Sequence, residues 1–540
     1  MQFKKELFQK NKFALGLILF LIIIFISFIT IKLTSSQQGK LEVKQENHSI
    51  NSSQKFTRKD KSVIRVCQND IPPVSLDPIY FDNKLDEITF HIFDRLVKWN
   101  KKGQIVPDLA ESWRQIDDKT TQFKLRRNVK FHNGETFNAQ AVKFSLDRLL
   151  APDTKSPGAK LFKNISKIEI IDPYTVNIIN SQPDYLFIRK LSLVQILPPK
   201  YFRDVGEEVF SKKPVGTGAY EFSKWNKDGS IVLTKNPNYW VKGKPIINTV
   251  IFKFIEDDIS KKEQRKALTD GKIDIITQLP GIHTLDVQKG KNTKVIKMLN
   301  QAKVHKMVFN SLKKPFSDIK IRKAVNIALN RDILIKVLAK GNGRKIATNS
   351  VKLEFGHNPN LKPYPYDPKL AKELLNESKY KDLTIKIAVT EDAKIIAQAI
   401  KKDLERINIQ SEVNSMTISE MVKGLLDSKT WDYDLTIYSG VDPFMHVGFL
   451  YGMAVYSKGL WSKTNSKEVD EIYKKLEVTL DEEQQLKLCN KLEELGYNNY
   501  WYTPVFQVIG TYGAAKDVVL KDSATTFLDL SEAYFKDLEE

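Results

Sequence analysis

Cysteine is nearly absent from this chain of 540 residues. Cys67 and Cys489 are its only two, too few for the bridged framework of a small secreted domain or for a thiolate zinc site. They read as two buried thiols. The seven histidines, His48, His91, His132, His283, His305, His357 and His446, do not fall in ligand-spaced pairs, so no metal site is expected. HExxH, CxxC, GxSxG and a Walker loop are all missing, which leaves catalysis without a sequence handle; no catalytic residue and no cofactor is expected. The GTG of Gly216 to Gly218 lacks the third glycine and the strand-to-helix context of a dinucleotide fingerprint, and by itself it reads as a tight turn.

Arginine is scarce beside lysine, which weighs against nucleic acid as the partner despite a formal charge of +20, because arginine supplies bidentate readout of phosphate and guanine. Residues 1–60 carry ten Lys/Arg against four Asp/Glu and so hold +6 of that charge. The rest is spread thinly, as on a solvated basic surface.

What the chain does have is enough apolar residues, 41%, for a folded protein of two or three lobes, since single cores stop growing well short of this length. Phe13 to Ile31 is a nineteen-residue run without charge, closed by Lys12 and Lys32, long enough to cross a bilayer. Lys4, Lys5, Lys10 and Lys12 precede it, so residues 1–12 are expected in the cytoplasm and everything after Lys32 outside. No good cleavage site follows, and the run is expected to stay as an anchor. Residues 32–61 read as a polar tether.

The folded part begins near Ser62. Thr121, Phe123 and Leu125 share one face of a strand, and Ala139 to Leu150 reads as a helix with Asn138 as N-cap. Between Leu383 and Ser439 the pattern is βαβαβ: strands at 383–389, 407–413 and 433–438, helices at 392–406 and 418–426. Such units form parallel sheets whose ligands bind beyond the carboxyl ends of the strands. The segment SGVDPF after Tyr438 is therefore the place to look for a site.

Several segments resemble family 5 of the extracellular solute-binding proteins, which serve ABC importers: SLDP (Ser75 to Pro78), PDLAESW (Pro107 to Trp113), FKLRRNVKFHNGETFNAQAVKFSLDRL (Phe123 to Leu149), PVGTGAYEFSKW (Pro214 to Trp225), KNPNYW (Lys235 to Trp240), IKIRKAVNIALNRD (Ile319 to Asp332) and YDPKLAKELL (Tyr366 to Leu375). Together and in this order they are specific. The resemblance implies an α/β, two-lobed periplasmic-binding-protein type II fold, preceded by the transmembrane helix. Lobe one would span 62–308 with an extra α+β subdomain, lobe two 309–502, and residues 503–540 would return to lobe one.

It also implies a monomeric extracytoplasmic protein that is not an enzyme, carrying a short peptide to an ABC permease in the inner membrane. Asp442 would pair with the peptide's ammonium, although this loop is shorter than in peptide-binding members and Asp-Pro is also a turn former. Tyr438, Ser439, Gly440 and Trp461 would border the cleft, with Gly216, Thr217 and Gly218 facing them from lobe one. A nickel or other metal chelate is the alternative ligand, suggested by His446 and Met445. A membrane-anchored surface enzyme or sensor is the alternative of another class.

Overall fold

The computed structural model describes residues 60–536 except 70, 82, 258–260, 302, 381, 428–430 and 524–526. The expected anchor at 13–31, with the tail and most of the tether beside it, lies outside the described residues. Among the described residues, no helix is long and apolar enough to cross a membrane.

Two sheets organise the molecule. The first has seven strands in the spatial order Thr293–Met298, Gly510–Ala515, Ile275–Ile276, Val63–Asn69, Thr249–Phe254, Ile231–Lys235 and Tyr220–Trp225. The second has six: Gly343–Arg344, Tyr502–Val508, Val304–Phe309, Leu435–Gly440, Thr384–Thr390 and Gln410–Met416. A separate antiparallel sheet of Ala110–Gln115, Thr120–Leu125, Thr175–Asn180 and Ile165–Asp172 forms the inserted subdomain. The helix Ala139–Leu150 packs on that sheet through Val142, Leu146 and Leu149, and the Asn138 side chain caps it by accepting from Gln140 N at 2.9 Å.

The βαβαβ unit is present, with Thr384–Thr390 flanked by Gln410–Met416 on one side and Leu435–Gly440 on the other, both parallel to it. Because the chain must leave the central strand in opposite directions, its two right-handed crossovers fall on opposite faces. The helix Lys394–Glu405 buries Ile396, Ala397, Ile400 and Leu404 in one core, whereas Ile418–Leu426 buries Ile418, Met421, Val422 and Leu425 in another. The second helix starts in a capping box, with Thr417 Oγ1 accepting from Glu420 N and the Glu420 carboxylate accepting from Thr417 N. The strand expected from Ile407 begins at Gln410 because Asn408 turns left-handed at φ 64° and ends the preceding helix.

The chain passes between the two large sheets at residues 299–303 and again at Ile509. Val304–Phe309 and Tyr502–Val508 pair with each other inside the second sheet, so lobe two takes in residues that the expected boundaries at 308 and 503 assign to lobe one. The crossings lie side by side: Val508 N donates to Lys303 O at 2.8 Å, and Gln507 Nε2 to Gln301 O at 2.9 Å. Both cysteines are buried.

Candidate functional site

Along Val304–Phe309 the side chains alternate between two environments, as the period of a strand requires. Met307 and Phe309 enter the apolar core beneath the lobe-two sheet with Leu435 and Ile437. Lys306 leaves the opposite face, directly across from Tyr438 on one neighbouring strand and Pro504 on the other. That face and lobe one enclose a cavity of about 600 Å³, within the range typical of small-ligand sites.

The lobe-two wall includes Lys306, Tyr438, Ser439, Gly440, Asp442 and Trp461. Trp461 lies flat on Tyr438, with ring centroids 4.2 Å apart and planes 11° apart, and Tyr438 Oη donates to Tyr502 Oη at 3.2 Å. The Ser439 hydroxyl is turned toward the sheet's other side, where it shares a 2.7 Å hydrogen bond with His305 Nδ1. A Cβ on Gly440 would stand 3.6 Å from the Tyr438 ring and 3.9 Å from Lys306 Nζ; glycine there keeps the floor of the cavity open.

Lys306 is only 2% exposed. Burial pushes its ammonium pKa down, against the pull of Glu354 and Asp442. Neither carboxylate comes within ion-pair distance, and the nearest π face is Tyr502, whose ring centroid is 6.0 Å from Nζ. Glu354 is held well above the usual carboxylate range, first by burial and then by Asp442.

Asp442 forms its loop. One carboxylate oxygen accepts from Phe444 N at 2.8 Å and the other from His446 N at 2.7 Å. Burial raises its pKa to about 6, with those N–H groups, Lys306 and Arg189 pulling it back. The loop is tied to lobe one by Arg189, whose Nη1 donates to Phe444 O at 2.9 Å and Met445 O at 3.0 Å while its guanidinium lies between the rings of Trp99 and Phe355.

Lobe one contributes the end of the helix Asn83–Ile92, the segment through Lys101 and the C-terminal return. Asp94 is fully engaged by Thr217 Oγ1 at 3.0 Å, Trp240 Nε1 at 2.8 Å and Tyr239 Oη at 3.3 Å. Lys98 pairs with Asp108 at 2.9 Å, and Arg95 lies over Phe90 with Asp108 3.8 Å away. Lys244 and Lys521 both pair with Glu532. Asp86 accepts from Gln195 Nε2 at 3.1 Å, and Asp522 from Asn300 Nδ2 at 3.0 Å. Asp529 accepts from Ser531 N at 2.8 Å and is exposed.

Gly216, Thr217 and Gly218 do not line the cavity; they stand behind it. A Cβ on Gly216 would meet Ile92 O at 2.0 Å, and one on Gly218 would meet His91 O at 2.5 Å. Their role is a close backbone clamp on residues 91–94, completed by Gly218 N donating to Ile92 O and by Thr217 on Asp94. His446 is likewise withdrawn. Its Nδ1 accepts from Gly448 N, so Nε2 carries the proton and donates to Gln485 Oε1, and Phe355 stacks on the ring. Neither nitrogen is left to meet a metal, and burial lowers its pKa to about 3. Among the described residues no cluster of His, Cys, Asp or Glu has metal-site geometry.

Lys306 and Asp529 were not among the sequence candidates. The signal for Lys306 was a cation inside the apolar strand VHKMVF; for Asp529, an isolated residue near the end of the chain, no signal existed.

Two α/β lobes joined by paired crossings, with a polar and aromatic cavity between them, define a solute-binding protein. The model of the bacterial extracellular solute-binding proteins, family 5 middle region, matches residues 104–460. The chain belongs to this family, as the substrate-capturing component of an ABC importer. The glutathione-binding protein GsiB of Escherichia coli K12 is 31% identical over 351 residues, 63% of this chain and 67% of that protein. The periplasmic binding protein DppA of Helicobacter pylori, solved with the peptide STSA, superposes with a TM-score of 0.70 at 25% identity, covering 88% of this chain and 98% of that one. The substrate-binding protein CtaP of Listeria monocytogenes shares the fold, with a TM-score of 0.78 at 19% identity over 89% of this chain and all of that one.

Proposed function

We propose that the protein captures a short peptide between its lobes on the extracytoplasmic side of the membrane, delivers it to an ABC permease and catalyses no reaction on it. The observation that carries this reading is the cavity itself. Its ≈ 600 Å³ is shared by both lobes, with the Tyr438 and Trp461 rings on one wall and charged groups of both signs around it. The relatives named for glutathione and for a bound peptide point to the same ligand class. Residues 13–31 would anchor the binding protein beside its permease, and the lobes would act as a monomer.

Within this reading Tyr438, Gly440 and Trp461 form the aromatic floor. Asp442 shapes the loop, and because each of its oxygens accepts a single backbone N–H and keeps a further lone pair, it is the carboxylate on this wall available to the peptide's ammonium. The metal-chelate reading is weakened by the engaged nitrogens of His446.

Native mass spectrometry of the full-length protein, purified without denaturation, tests the proposal. Co-purifying masses that fragment as peptides support it. A metal adduct or a single non-peptide mass would transfer the site to another solute.

A further inference from the structure

On lobe one the turn Gly281–His283 leads directly into the short helix Thr284–Lys289, and on lobe two stands the helix Arg331–Leu338. The two abut beside the lobe crossings. A Cβ on Gly281 would meet Ala339 O at 2.7 Å, Asn342 Nδ2 donates to Thr284 Oγ1 at 3.3 Å, and Ile509 N donates to Asn342 O at 3.1 Å. Each segment buries one side, Val287 in a lobe-one core and Leu334 in the core beneath the lobe-two sheet. The outward side is apolar as well. Ile282, Leu285, Ile333 and Val337 are between 38% and 52% exposed, which puts four large aliphatic side chains on two touching segments.

Cations frame them. Lys289, Lys336 and Lys340 are exposed and enter no ion pair among the described residues. Lys336 and Lys340 stand three positions on from Ile333 and Val337, one helical turn along the same stripe. The acids of these segments, Asp286 and Asp332, are already matched, by Arg265 at 2.7 Å and by Lys345 at 2.8 Å. The face therefore combines exposed aliphatics with positive charge that no carboxylate on it offsets.

Aliphatic side chains framed by lysine suit the interface of a bilayer with anionic headgroups, where the apolar groups enter the headgroup layer and the ammoniums meet phosphate. The rest of the chain favours lipid over a protein partner. Residues 13–31 would span the membrane, and residues 32–59, read as a polar tether, have an end-to-end reach of roughly 30 Å. A fold held on so short a lead stays beside the bilayer.

We propose that this face docks on the surface of an anionic lipid bilayer, with Ile282, Leu285, Ile333 and Val337 among the headgroups and Lys289, Lys336 and Lys340 against lipid phosphates. The cavity lies on the opposite side of the lobe-two sheet from the helix Arg331–Leu338, so docking turns it toward the medium from which solute arrives. Delivery then requires the protein to lift from the lipid. None of this depends on what the cavity holds.

The test uses the full-length protein in vesicles of phosphatidylglycerol mixed with phosphatidylcholine, and in vesicles of phosphatidylcholine alone. Cys67 and Cys489 are buried, so Val337→Cys takes a thiol-directed fluorophore at the docking face, and Glu111→Cys, at an exposed position of the inserted subdomain, serves as the control. Nitroxide-labelled lipid is expected to quench the fluorophore at position 337 and spare the one at 111, and to do so only where phosphatidylglycerol is present. Lys336→Gln combined with Lys340→Gln should lower the ratio of quenched to unquenched fluorophore at 337 by at least about tenfold. Neither lysine lines the cavity, so ligand affinity and thermal midpoint should stay at the parent's values. Equal quenching at both positions, or quenching at 337 that ignores the charge of the lipid, would overturn the inference. No quenching at 337 would overturn it as well and leave the face to a protein partner. Flotation of the same samples separates docking from the anchor: protein that stays off phosphatidylcholine vesicles yet is quenched at 337 by those with phosphatidylglycerol would sink the anchor at 13–31 and keep the docking face.

Discussion

Lys306 and Tyr438 face each other across an antiparallel strand pair, so both side chains leave the lobe-two sheet on the cavity side. Trp461 then seals the far face of the Tyr438 ring. The sheet thus holds a cation beside an aromatic platform, at a position where the alternation of the strand would otherwise put one more apolar side chain.

That placement predicts a conflict between stability and binding. Lys306→Met keeps the length of the side chain and removes a charge whose pKa burial depresses. The variant should be more stable than the parent at neutral pH, by about 1 kcal/mol or more, while losing ligand affinity. Denaturant midpoints of the ligand-free proteins check the first half; equal or lower stability would mean that Glu354 and Asp442 already repay the buried charge.

The Gly216–Gly218 clamp predicts a structural effect at a distance from the ligand. Gly216→Ala places a methyl 2.0 Å from Ile92 O, which only a backbone shift can relieve, and should destabilise the protein by roughly 2 kcal/mol or more. Affinity should fall with it, because residues 91–94 carry Asp94 and border the cavity. A thermal midpoint within a degree of the parent's would refute the clamp.

His446 predicts a pH dependence whose sign follows from its depressed pKa. The folded value is about 3 against about 6.5 in an unfolded chain. Its stabilising contribution is complete above pH ~6.5 and is lost progressively as pH falls toward 3. His446→Gln removes the titration, so the stability gap between parent and variant should shrink by roughly 2 kcal/mol between pH 7.5 and 5. Denaturation at the two pH values measures it, and taking the difference cancels the opposing effect of buried acids such as Glu87, whose pKa is raised to about 8 by burial.

Much of this architecture is legible in the sequence where the periodicity is strong. The run Leu383 to Ser439 shows βαβαβ because the two faces of its sheet and helices are apolar at fixed spacing. Asn138 announces its helix because a short polar side chain before an apolar run has one good use. What periodicity cannot convey is which lobe faces what. The alternation of VHKMVF marks Lys306 as opposite Met307 and Phe309, but whether that face meets water, core or ligand depends on lobe one, hundreds of residues away. Gly216–Gly218 show the converse: their motif was legible, yet the atoms they approach, Ile92 O and His91 O, are not. Asp442 was visible as an Asp-Pro turn and as a cleft residue, and it stands in both places: its oxygens accept from two backbone N–H groups of the loop, and it lines the cavity.

Arg189 carries the last prediction. It is a lobe-one residue whose guanidinium donates to two lobe-two carbonyls, Phe444 O and Met445 O, in the loop that Asp442 organises. These bonds span the two lobes, so parting the lobes would break them, and they favour the state in which the lobes are together. Arg189→Met keeps the packing between Trp99 and Phe355 in part but strands two carbonyls, a cost of about 1–3 kcal/mol paid by the closed form. Ligand affinity should therefore drop by about tenfold or more, chiefly through faster release, since a ligand leaves when the lobes part. Stopped-flow displacement with the co-purified ligand separates the two rates. A release rate equal to the parent's would show that the Arg189 bonds persist in the open form and that the latch lies elsewhere.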